Sequence, residues 1–576
     1  MNENPVNLTI NGIKISARAG QSVLEAAREN GISIPSLCYH PDLDIKENCR
    51  LCLVEAKGKN GIFTSCSLKV EEGMEVFNNT PAVRNMVKTN LELIFGQHRV
   101  ECEDCLLYGR CELLRLAKEY RVKVKKFQYR KKDAKVYNFG SSISLDLTKC
   151  IDCKNCLDVC KKQQCGFYEF KNGSEEGFFG ICPTAEKKRD CIYCGQCIAH
   201  CPVGAIEAPS EFERSEEPFL LKGKTVVVAI APSIRVSIGE LFNLPYGSIV
   251  TQQLIGAIKK IPNVSHVFDV STGADFTTVF EADEVIERIK KNEKLPMFSS
   301  CCPAWVKYAE FYRPDILEKF TAARSPQIML GGILKTHWAK KMNLNPEDVV
   351  VVSIMPCVAK KYECLRPELK INGLSPVDYV LTTRELAFVL RKHKIDLKKV
   401  KPEVPSCPLC SPSGAGVIYG QSGGVSESAL RTIYEKLTGK PLENFSFQDH
   451  PTIKRARIAK IMAGQQEIRV CAVNTMEAAK EILDELKQNP SAYHYVEVMS
   501  CYGGCIGGGG QPLPMDENIR RKRAAALLAE DKNLPHRAAH CNPEVETILR
   551  ESFGDGAKRQ AVFQTHYRQK EKENNF

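Results

Sequence analysis

The chain has 576 residues and a formal net charge of +11, because 80 lysine and arginine residues outnumber 69 aspartate and glutamate residues. This length exceeds what one hydrophobic core supports and predicts several domains. No run of about 18 apolar residues occurs, which argues against a membrane span. No nucleic-acid-binding motif accompanies the positive charge, which argues against a DNA or RNA partner.

The distribution of cysteines predicts bound metal. The 27 cysteines cluster in C-x2-C groups rather than in spread pairs, which favours metal thiolates over disulfides. The N-terminus, MNENPVNLTINGIKIS, is polar and shows no signal peptide. We therefore expect a cytoplasmic protein in a reducing compartment.

The N-terminal segment predicts a hairpin, a helix and a set of cysteines. Residues 7–17 alternate around an Asn-Gly turn, and Gln21–Asn30 has a helical pattern. This order resembles the plant-type ferredoxin β-grasp, although the cysteine spacing differs from the plant-type one. Zinc binding is the alternative. The resemblance implies a 2Fe–2S cluster on Cys38, Cys49, Cys52 and Cys66.

One histidine and three cysteines follow a helical stretch at Val87–Phe95. They are His98, Cys102, Cys105 and Cys111. Four nitrogen and sulfur ligands this close in sequence can complete one tetrahedral shell, so zinc is one interpretation. The pattern resembles a 4Fe–4S site of hydrogenases and of a complex I subunit, and the resemblance implies such a cluster here. A neutral imidazole in place of a thiolate removes negative charge and should alter the cluster's potential.

One cysteine spacing, C-x2-C-x2-C-x3-C, occurs twice in the next segment. It is the pattern of bacterial two-cluster ferredoxins, in which the fourth cysteine of each run binds the other cluster. The repeat therefore predicts two 4Fe–4S clusters. One would take Cys150, Cys153, Cys156 and Cys201. The other would take Cys191, Cys194, Cys197 and Cys160.

Beyond a polar linker at Glu207–Lys224, the pattern predicts an α/β domain. Its apolar runs are Thr225–Ile230, Val349–Ile354, Arg469–Val473 and Tyr495–Met499. Three of these runs stop just before Ser233, Cys357 and Cys501. Open α/β sheets bind ligands at the carboxyl ends of their strands. These side chains are therefore predicted to share one cavity.

Three short segments of this domain carry five cysteines: SSCCPAW (Ser299–Trp305), MPCVAKKYE (Met355–Glu363) and MSCYGGCIGGGGQP (Met499–Pro512). Together they resemble the active-site signatures of the iron-only (FeFe) hydrogenases, and the resemblance extends from residue 5 to about residue 568. It implies the reaction 2 H⁺ + 2 e⁻ ⇌ H₂ at an H-cluster, a 4Fe–4S cubane joined to a diiron subcluster with CO, cyanide and dithiolate ligands. The motif match implies Cys302, Cys357, Cys501 and Cys505 as cubane ligands, with Cys505 also bridging to the diiron subcluster.

The same resemblance implies roles for residues around the H-cluster. Cys301 would exchange protons with the diiron site, and an ordinary thiol pKa of about 8.5 suits two-way exchange. The proton path would continue through Glu281, Thr321 and Glu284, with Arg288 nearby. Lys360 would donate to a cyanide ligand. The remaining cofactor-lining positions would be Pro232, Ser233, Gln327, Met355 and Met499.

Several positions depart from the commonest family pattern. Val358 replaces a threonine and Ser500 an alanine, so one hydroxyl is lost and one gained near the cubane. Hydrogen bonds around a cluster shift its potential, and we hypothesise an altered bias between hydrogen oxidation and evolution. Among the cysteines outside the ligand sets, Cys407 and Cys410 form a further C-x2-C pair whose role, structural, metal-binding or redox, stays open.

The expected architecture is an α/β catalytic domain, with two doubly wound-like lobes around the active site, preceded by α+β iron–sulfur modules. The expected domains are a β-grasp 2Fe–2S domain at 1–82, a one-His/three-Cys 4Fe–4S domain at 83–123, a two-cluster ferredoxin-like domain at 140–210, the catalytic domain at 222–515 and small-subunit-like helices at 516–568. The implied cofactors are one 2Fe–2S cluster, three accessory 4Fe–4S clusters and the H-cluster. The implied partners are ferredoxin or flavodoxin, other hydrogenase subunits and maturation proteins.

Three alternatives stay open. The chain could be the catalytic subunit of an NAD(P)-coupled complex, in which case another subunit must bind the nicotinamide, since no GxGxxG motif occurs here. It could also be a non-enzymatic hydrogen sensor on the same fold. A complex I-type electron-transfer subunit would share the first 200 or so residues but would not need the three later motifs.

Overall fold

The computed structural model describes residues 5–102, 105, 107, 109–131, 134–172, 179–208, 214–443 and 445–573. Its first elements are β1 (Pro5–Ile10), β2 (Ile13–Arg18), α1 (Val23–Glu29), β3 (Leu53–Ala56), β4 (Ile62–Thr64) and β5 (Glu75–Phe77). These strands form one sheet in the order β2-β1-β5-β3-β4. The predicted hairpin is confirmed, because β1 and β2 pair antiparallel across a turn in which Asn11 and Gly12 both have positive φ.

Two helices follow, α2 (Pro81–Phe95) and α3 (Glu112–Glu119). The α2 helix begins at a Thr80 cap, whose hydroxyl accepts from the Val83 amide. It buries Val87 and Leu91 on one face. The histidine and cysteine set lies between these two helices.

The repeated cysteine spacing folds into two matching turns. The elements of this region are β6 (Val136–Phe139), β7 (Ile143–Asp146), α4 (Asn155–Lys162), β8 (Tyr168–Asn172), β9 (Phe179–Pro183), α5 (Gln196–Ala199) and β10 (Ile206–Glu207). Lys154 before α4 and Gly195 before α5 are both left-handed, with φ of 65° and 69°. Each occupies the same position in its cysteine run, so the sequence repeat is also a repeat of backbone shape.

The catalytic region contains two sheets. Its elements up to the middle of the region are α6 (Glu217–Leu220), β11 (Thr225–Ile230), α7 (Thr251–Ile258), β12 (Val264–Asp269), α8 (Val270–Lys291), β13 (Met297–Phe298), α9 (Pro303–Tyr312), α10 (Pro326–Ile333), α11 (Ala339–Lys341), β14 (Val349–Met355), α12 (Ala359–Cys364), β15 (Tyr379–Thr382), α13 (Thr383–Lys392), α14 (Gly414–Val417) and α15 (Gly424–Thr438). The first sheet has the order β12-β11-β14-β15 and is parallel throughout.

The second sheet is mixed. Its remaining elements are β16 (Gln448–Asp449), β17 (Ala456–Ala463), β18 (Gln466–Asn474), α16 (Met476–Gln488) and β19 (Tyr495–Met499). The order is β13-β19-β18-β17-β16. Strands β13, β19 and β18 pair parallel, and β17 pairs antiparallel with both of its neighbours, β18 and β16. All four predicted apolar runs are strands, which confirms that part of the prediction.

The C-terminal helices are α17 (Glu517–Asn533), α18 (Pro543–Ser552) and α19 (Gly556–Phe563). The fully buried Arg523 of α17 pairs with Glu240 at 2.6 Å and donates to the Ile506 carbonyl at 2.7 Å. This helix therefore holds the glycine-rich segment of the third motif in place. Among the described residues, no helix combines the length and the apolar character that a bilayer crossing demands.

Candidate active site

Four cysteines from three separate segments line one cavity: Cys302, Cys357, Cys501 and Cys505. Cys302 caps the start of α9, and Cys505 begins a 3-10 turn. Cys357 and Cys501 follow β14 and β19, which belong to different sheets. The cavity therefore lies where the carboxyl ends of the two sheets meet, as predicted for an open α/β domain.

The chemistry of these four thiols fits a metal cluster. Burial, followed by the proximity of Cys302, raises the pKa of Cys357 to about 12. Burial and the neighbouring Cys357 likewise hold the pKa of Cys501 well above its usual range. Bound iron would take all four as thiolates and satisfy their charge, whereas four free thiols around one cavity have no comparable partner. The donor set therefore fits an iron–sulfur cubane.

The glycine-rich segment packs closely around this cavity. Gly504 has a φ of 89°, and a Cβ there would lie 2.5 Å from the Ser422 amide nitrogen. A Cβ on Gly508 would lie 2.2 Å from the Pro356 carbonyl oxygen. Because only glycine fits both positions, the segment is a packed cradle rather than a loose loop.

Lys360 lies in the cavity wall within a buried network. Its Nζ donates to the Cys301 carbonyl at 3.1 Å and to Glu363 at 2.8 Å. Burial opposes the charge of Lys360, but Glu363 outweighs it and keeps the lysine pKa above its ordinary value. The Nε2 of Gln327 donates to the same carboxylate at 2.6 Å, while its buried Oε1 has no partner among the described residues. Glu363 was not singled out from the sequence, although its i,i+3 spacing from Lys360 on a helix was a usable signal.

The other predicted lining residues also reach the cavity: Pro232, Ser233, Met355 and Met499. The Ser233 hydroxyl accepts from Gln511 Nε2 at 3.2 Å. Gln511 in turn accepts from Ser237 and Thr383 at 2.7 and 3.0 Å. Sequence reasoning missed Gln511, because a single glutamine in a glycine-rich segment carries no spacing pattern.

Cys301 and Glu281 interact electrostatically, and Glu284 makes a separate set of contacts. Burial and then Glu281 raise the pKa of the Cys301 thiol well above its usual range. The ordinary value expected from the sequence therefore does not apply in this structure. Thr321 donates to Glu284 at 2.7 Å, and Arg288 donates to the other oxygen of that carboxylate at 2.6 Å.

Two buried tyrosines near Glu281 were missed by sequence reasoning. Tyr495 donates to Glu281 Oε2 at 2.9 Å, and Oε1 of that carboxylate has no partner among the described residues. Burial raises the pKa of Glu281 to about 8, and the Tyr495 hydrogen bond acts in the opposite direction. Tyr419 lines the cavity, and its hydroxyl lies 2.8 Å from that of Thr278. Aromatic residues at such positions look like ordinary core in a sequence.

The predicted 2Fe–2S cysteines lie together. The Cys49 amide donates to Cys38 Sγ at 3.3 Å, and the Leu37 amide donates to Cys49 Sγ at 3.5 Å. Cys52 and Cys66 contact each other through their side chains. Backbone amides aimed at sulfur suit a cluster of thiolates.

His98, Cys102, Cys105 and Cys111 share a small pocket at the surface. The Nδ1 of His98 lies 2.6 Å from the Lys149 carbonyl, which leaves Nε2 for a metal. Burial lowers the pKa of His98, so the ring is neutral and able to bind. The residues present fit one cluster.

One of the two predicted sets of the cysteine repeat lines a single pocket. Cys160, Cys191, Cys194 and Cys197 line one pocket, together with Cys165, which is outside the predicted sets. Burial raises the pKa of Cys156, and Cys153, Cys150, Cys197 and Cys201 raise it further, so cysteines of both sets lie near this thiol. Cys407 and Cys410 are joined by a disulfide, apart from these sites.

Contacts connect the sites in series. Asn48, beside the 2Fe–2S cysteines, donates to the Asp152 carbonyl at 2.8 Å. Lys149, whose carbonyl contacts His98, precedes Cys150. Between the cysteine repeat and the cavity of the three motifs, the Cys501 thiol lies 3.8 Å from the Cys194 carbonyl.

Family comparisons agree with this arrangement. The iron only hydrogenase large subunit, C-terminal domain, matches residues 224–509, and the iron hydrogenase small subunit matches residues 517–570. A 2Fe-2S iron-sulfur cluster binding domain matches residues 3–81, and a 4Fe-4S dicluster domain matches residues 149–211.

Individual relatives cover nearly the whole chain. The NADP-reducing hydrogenase subunit HndD of Solidesulfovibrio fructosivorans is 36% identical over 98% of both chains. Iron hydrogenase 1 of Clostridium pasteurianum is 34% identical and covers 98% of this chain and 99% of its own. A solved structure of a variant of the [FeFe]-hydrogenase HydA1 from Chlamydomonas reinhardtii is similar with a TM-score of 0.57 and 30% identity, over 62% of this chain and 99% of that one. The chain therefore belongs to the iron-only (FeFe) hydrogenases, with 2Fe–2S and 4Fe–4S ferredoxin-like modules ahead of a catalytic domain that oxidises and evolves hydrogen reversibly at an H-cluster.

Proposed function

We propose that Cys302, Cys357, Cys501 and Cys505 hold the H-cluster of this hydrogenase. The observation that supports this most is the convergence of three distant motifs on one cavity that also contains the non-ligand Cys301. Infrared spectroscopy of protein produced with its maturation partners tests it. We expect CO and cyanide stretches together with hydrogen uptake and evolution, and active protein without such bands would contradict the assignment.

The H-cluster, when bound, supplies the two-electron chemistry of hydrogen, and we propose that the chain's own residues supply the protons. Cys301 carries a proton at the cavity and passes it to the neighbouring Glu281. Thr321 and Glu284, joined at 2.7 Å, continue the path outward, and Arg288 holds the Glu284 carboxylate. Glu281 is fully buried and the Glu284 side chain is about one quarter exposed, so the path runs from the core toward solvent.

We propose that Lys360, Gln327 and Ser233 orient the diiron ligands. Lys360 is a buried cation held by Glu363, and an anionic cyanide is a suitable additional partner for it. Gln327 lines the same cavity, and its side-chain NH₂ group, rather than the acceptor Oε1, is the part that can donate to a CO or cyanide ligand. Pro232, Met355 and Met499 complete an apolar lining that excludes water.

We propose two entry routes for electrons, which converge on the cluster of Cys150, Cys153, Cys156 and Cys201. Contacts from the 2Fe–2S site and from the His98 site both reach this module. The cluster of Cys160, Cys191, Cys194 and Cys197 would then pass electrons to the cubane through the Cys194–Cys501 contact. The domain limits that fit this route are 1–82, 83–123, 140–210, 222–515 and 516–568, with the two sheets of the catalytic domain as its two lobes.

We propose ferredoxin or flavodoxin as the electron partner, docking where the His98 site meets the surface. Arg99 and Lys149 line that pocket together with Glu101, which pairs with both of them. The lining therefore keeps a small net positive charge that would attract an acidic carrier. The relative named as an NADP-reducing hydrogenase subunit favours a second candidate, a catalytic subunit that works with other subunits. Both candidates fit a cytoplasmic enzyme. Hydrogen-dependent reduction of purified ferredoxin by the isolated chain separates them, since a chain that needs its complex would fail this assay.

The Tyr495 hydrogen bond predicts a measurable pH effect. During hydrogen oxidation, Glu281 must lose its proton before it can accept the next one. The rate of hydrogen oxidation should therefore rise with pH, with a midpoint near the Glu281 pKa of about 8. In Tyr495→Phe the carboxylate loses a donor worth about 1.5 kcal/mol, which moves the midpoint up by about one pH unit. The pH profile of hydrogen oxidation measures this, with Tyr434→Phe, a tyrosine packed against the same core, as the control. An unshifted profile would remove Tyr495 from this role.

Ser500 predicts a shift in catalytic bias. Its hydroxyl donates to Met476 Sδ at 3.3 Å and lies 3.6 Å from Cys302 Sγ. A cluster-bound thiolate is the stronger acceptor, and a hydrogen bond to it raises the cluster potential. Ser500→Ala should therefore lower that potential by about 40 mV, the equivalent of about 1 kcal/mol in a one-electron couple, and move the bias toward evolution. Protein-film voltammetry of Ser500→Ala and Val358→Thr tests it, and an unchanged bias in both defeats the hypothesis.

A further inference from the structure

A further group of metal-binding side chains lies away from the iron–sulfur sites, between the catalytic domain and the C-terminal helices. It consists of Glu435 on α15 and of His540 and Cys541 on the 3-10 turn Ala539–Cys541. One ligand atom from each lies within 4.8 Å of the others. None of the three belongs to the cluster ligand sets or to the proton path.

The distances in this group match the edges of a tetrahedral metal site. His540 Nε2 lies 3.5 Å from Glu435 Oε2 and 3.6 Å from Cys541 Sγ. The same Sγ lies 3.8 Å from Glu435 Oε1. Zinc bonds of about 2.0 Å to nitrogen and oxygen and about 2.3 Å to sulfur imply edges of about 3.3–3.5 Å. The two Glu435 distances are to different oxygens of its carboxylate. A bound ion would therefore either take both oxygens or draw one ligand inward by at most about 1.3 Å from the 4.8 Å limit.

The surrounding structure positions these ligands. Thr432, one turn before Glu435 on α15, contacts His540 Nδ1 through its hydroxyl at 3.3 Å, which leaves Nε2 facing the other two ligands. On either side of the two C-terminal ligands the backbone is anchored. Ala539 is fully buried, and Asn542 donates to Asp275 of α8 at 2.8 Å. Ligands fixed by packing in this way lose little entropy on binding.

We propose that Glu435, His540 and Cys541 bind one Zn²⁺ ion, with water in the fourth position. Thiolate, imidazole and carboxylate together favour zinc over Mg²⁺ or Ca²⁺, which prefer oxygen ligands. Cys541 is exposed, so its proton leaves to solvent as the metal binds and water reaches the open position. One thiolate and one carboxylate balance the charge of the ion. The ion cross-links α15 to the segment that leads into α18, and so holds this part of the C-terminal region on the catalytic domain.

The test uses anaerobic holoenzyme with its clusters loaded, treated with chelator and titrated with Zn²⁺ alone. We expect one equivalent to bind, and zinc-edge X-ray absorption to show one sulfur at about 2.3 Å with nitrogen and oxygen at about 2.0–2.1 Å. Amide exchange in residues 534–552 should slow when zinc is added. Cys541→Ser and His540→Gln should each weaken zinc binding by about 100-fold or more, since loss of an outer-sphere partner alone costs up to about 100-fold.

A matched control is His450→Gln. His450 Nε2 lies 3.1 Å from Glu485 in another histidine–glutamate pair, and this variant should bind zinc as the unaltered chain does. Absence of zinc binding at micromolar concentration would overturn the proposal. So would unchanged binding in both ligand variants, or an all-sulfur shell, which would place the ion on cluster cysteines instead.

Discussion

Cys301→Ala should lower hydrogen turnover in both directions by about 10²–10⁴-fold, the range that a positioned proton donor contributes. The thiol is buried in the cavity wall and interacts electrostatically with Glu281, and we propose it as the link between the reacting site and the proton path. Alanine removes the exchangeable proton without removing a cluster ligand. The CO and cyanide bands should therefore persist while the activity falls, and infrared spectra with hydrogen uptake and evolution assays measure both.

Cys364→Ala is the matched control for this prediction. Cys364 is also a buried thiol outside the ligand sets, and its Sγ lies 3.1 Å from the Lys361 carbonyl on α12. We expect this variant to retain most activity. If Cys301→Ala keeps normal turnover, protons must leave the cavity by another route and the assignment of Glu281 and Glu284 fails with it.

Cys505→Ala should abolish turnover by a different mechanism. Cys505 would serve both halves of the H-cluster, and the only non-ligand thiol among the described residues that line this cavity, Cys301, belongs to a different segment from the tightly packed one around Cys505. We expect hydrogen turnover below detection and loss of the CO and cyanide bands. The accessory clusters have separate ligands, so their electron paramagnetic resonance signals should remain.

The contrast between the two variants separates their roles. Bands retained in Cys301→Ala and lost in Cys505→Ala would distinguish a proton carrier from a cluster ligand. Intact bands in Cys505→Ala would show that the diiron subcluster is held without this cysteine, and the ligand assignment would then be wrong.

Local patterns predicted much of the fold and of the ligand sets. The bounds of Thr225–Ile230 and Tyr495–Met499 agree with the observed strands β11 and β19. The repeated cysteine spacing corresponds to a repeat of backbone shape, because each run folds into the same turn before α4 and α5. By contrast, no spacing relates Cys302 to Cys501, about 200 residues apart. Only the resemblance of whole motifs to a family joined them.

The amino-acid sequence was sufficient for the kinds of cluster and the reaction class, because thiolate spacings and motifs are properties of short segments. The partners of those residues depended on tertiary structure. Gln511 beside Ser233 and Tyr495 on Glu281 come from distant or unpatterned positions. The protonation of Cys301 also depends on tertiary structure. Burial and the Glu281 carboxylate set the pKa of its thiol, and both arise only when the sheets pack together.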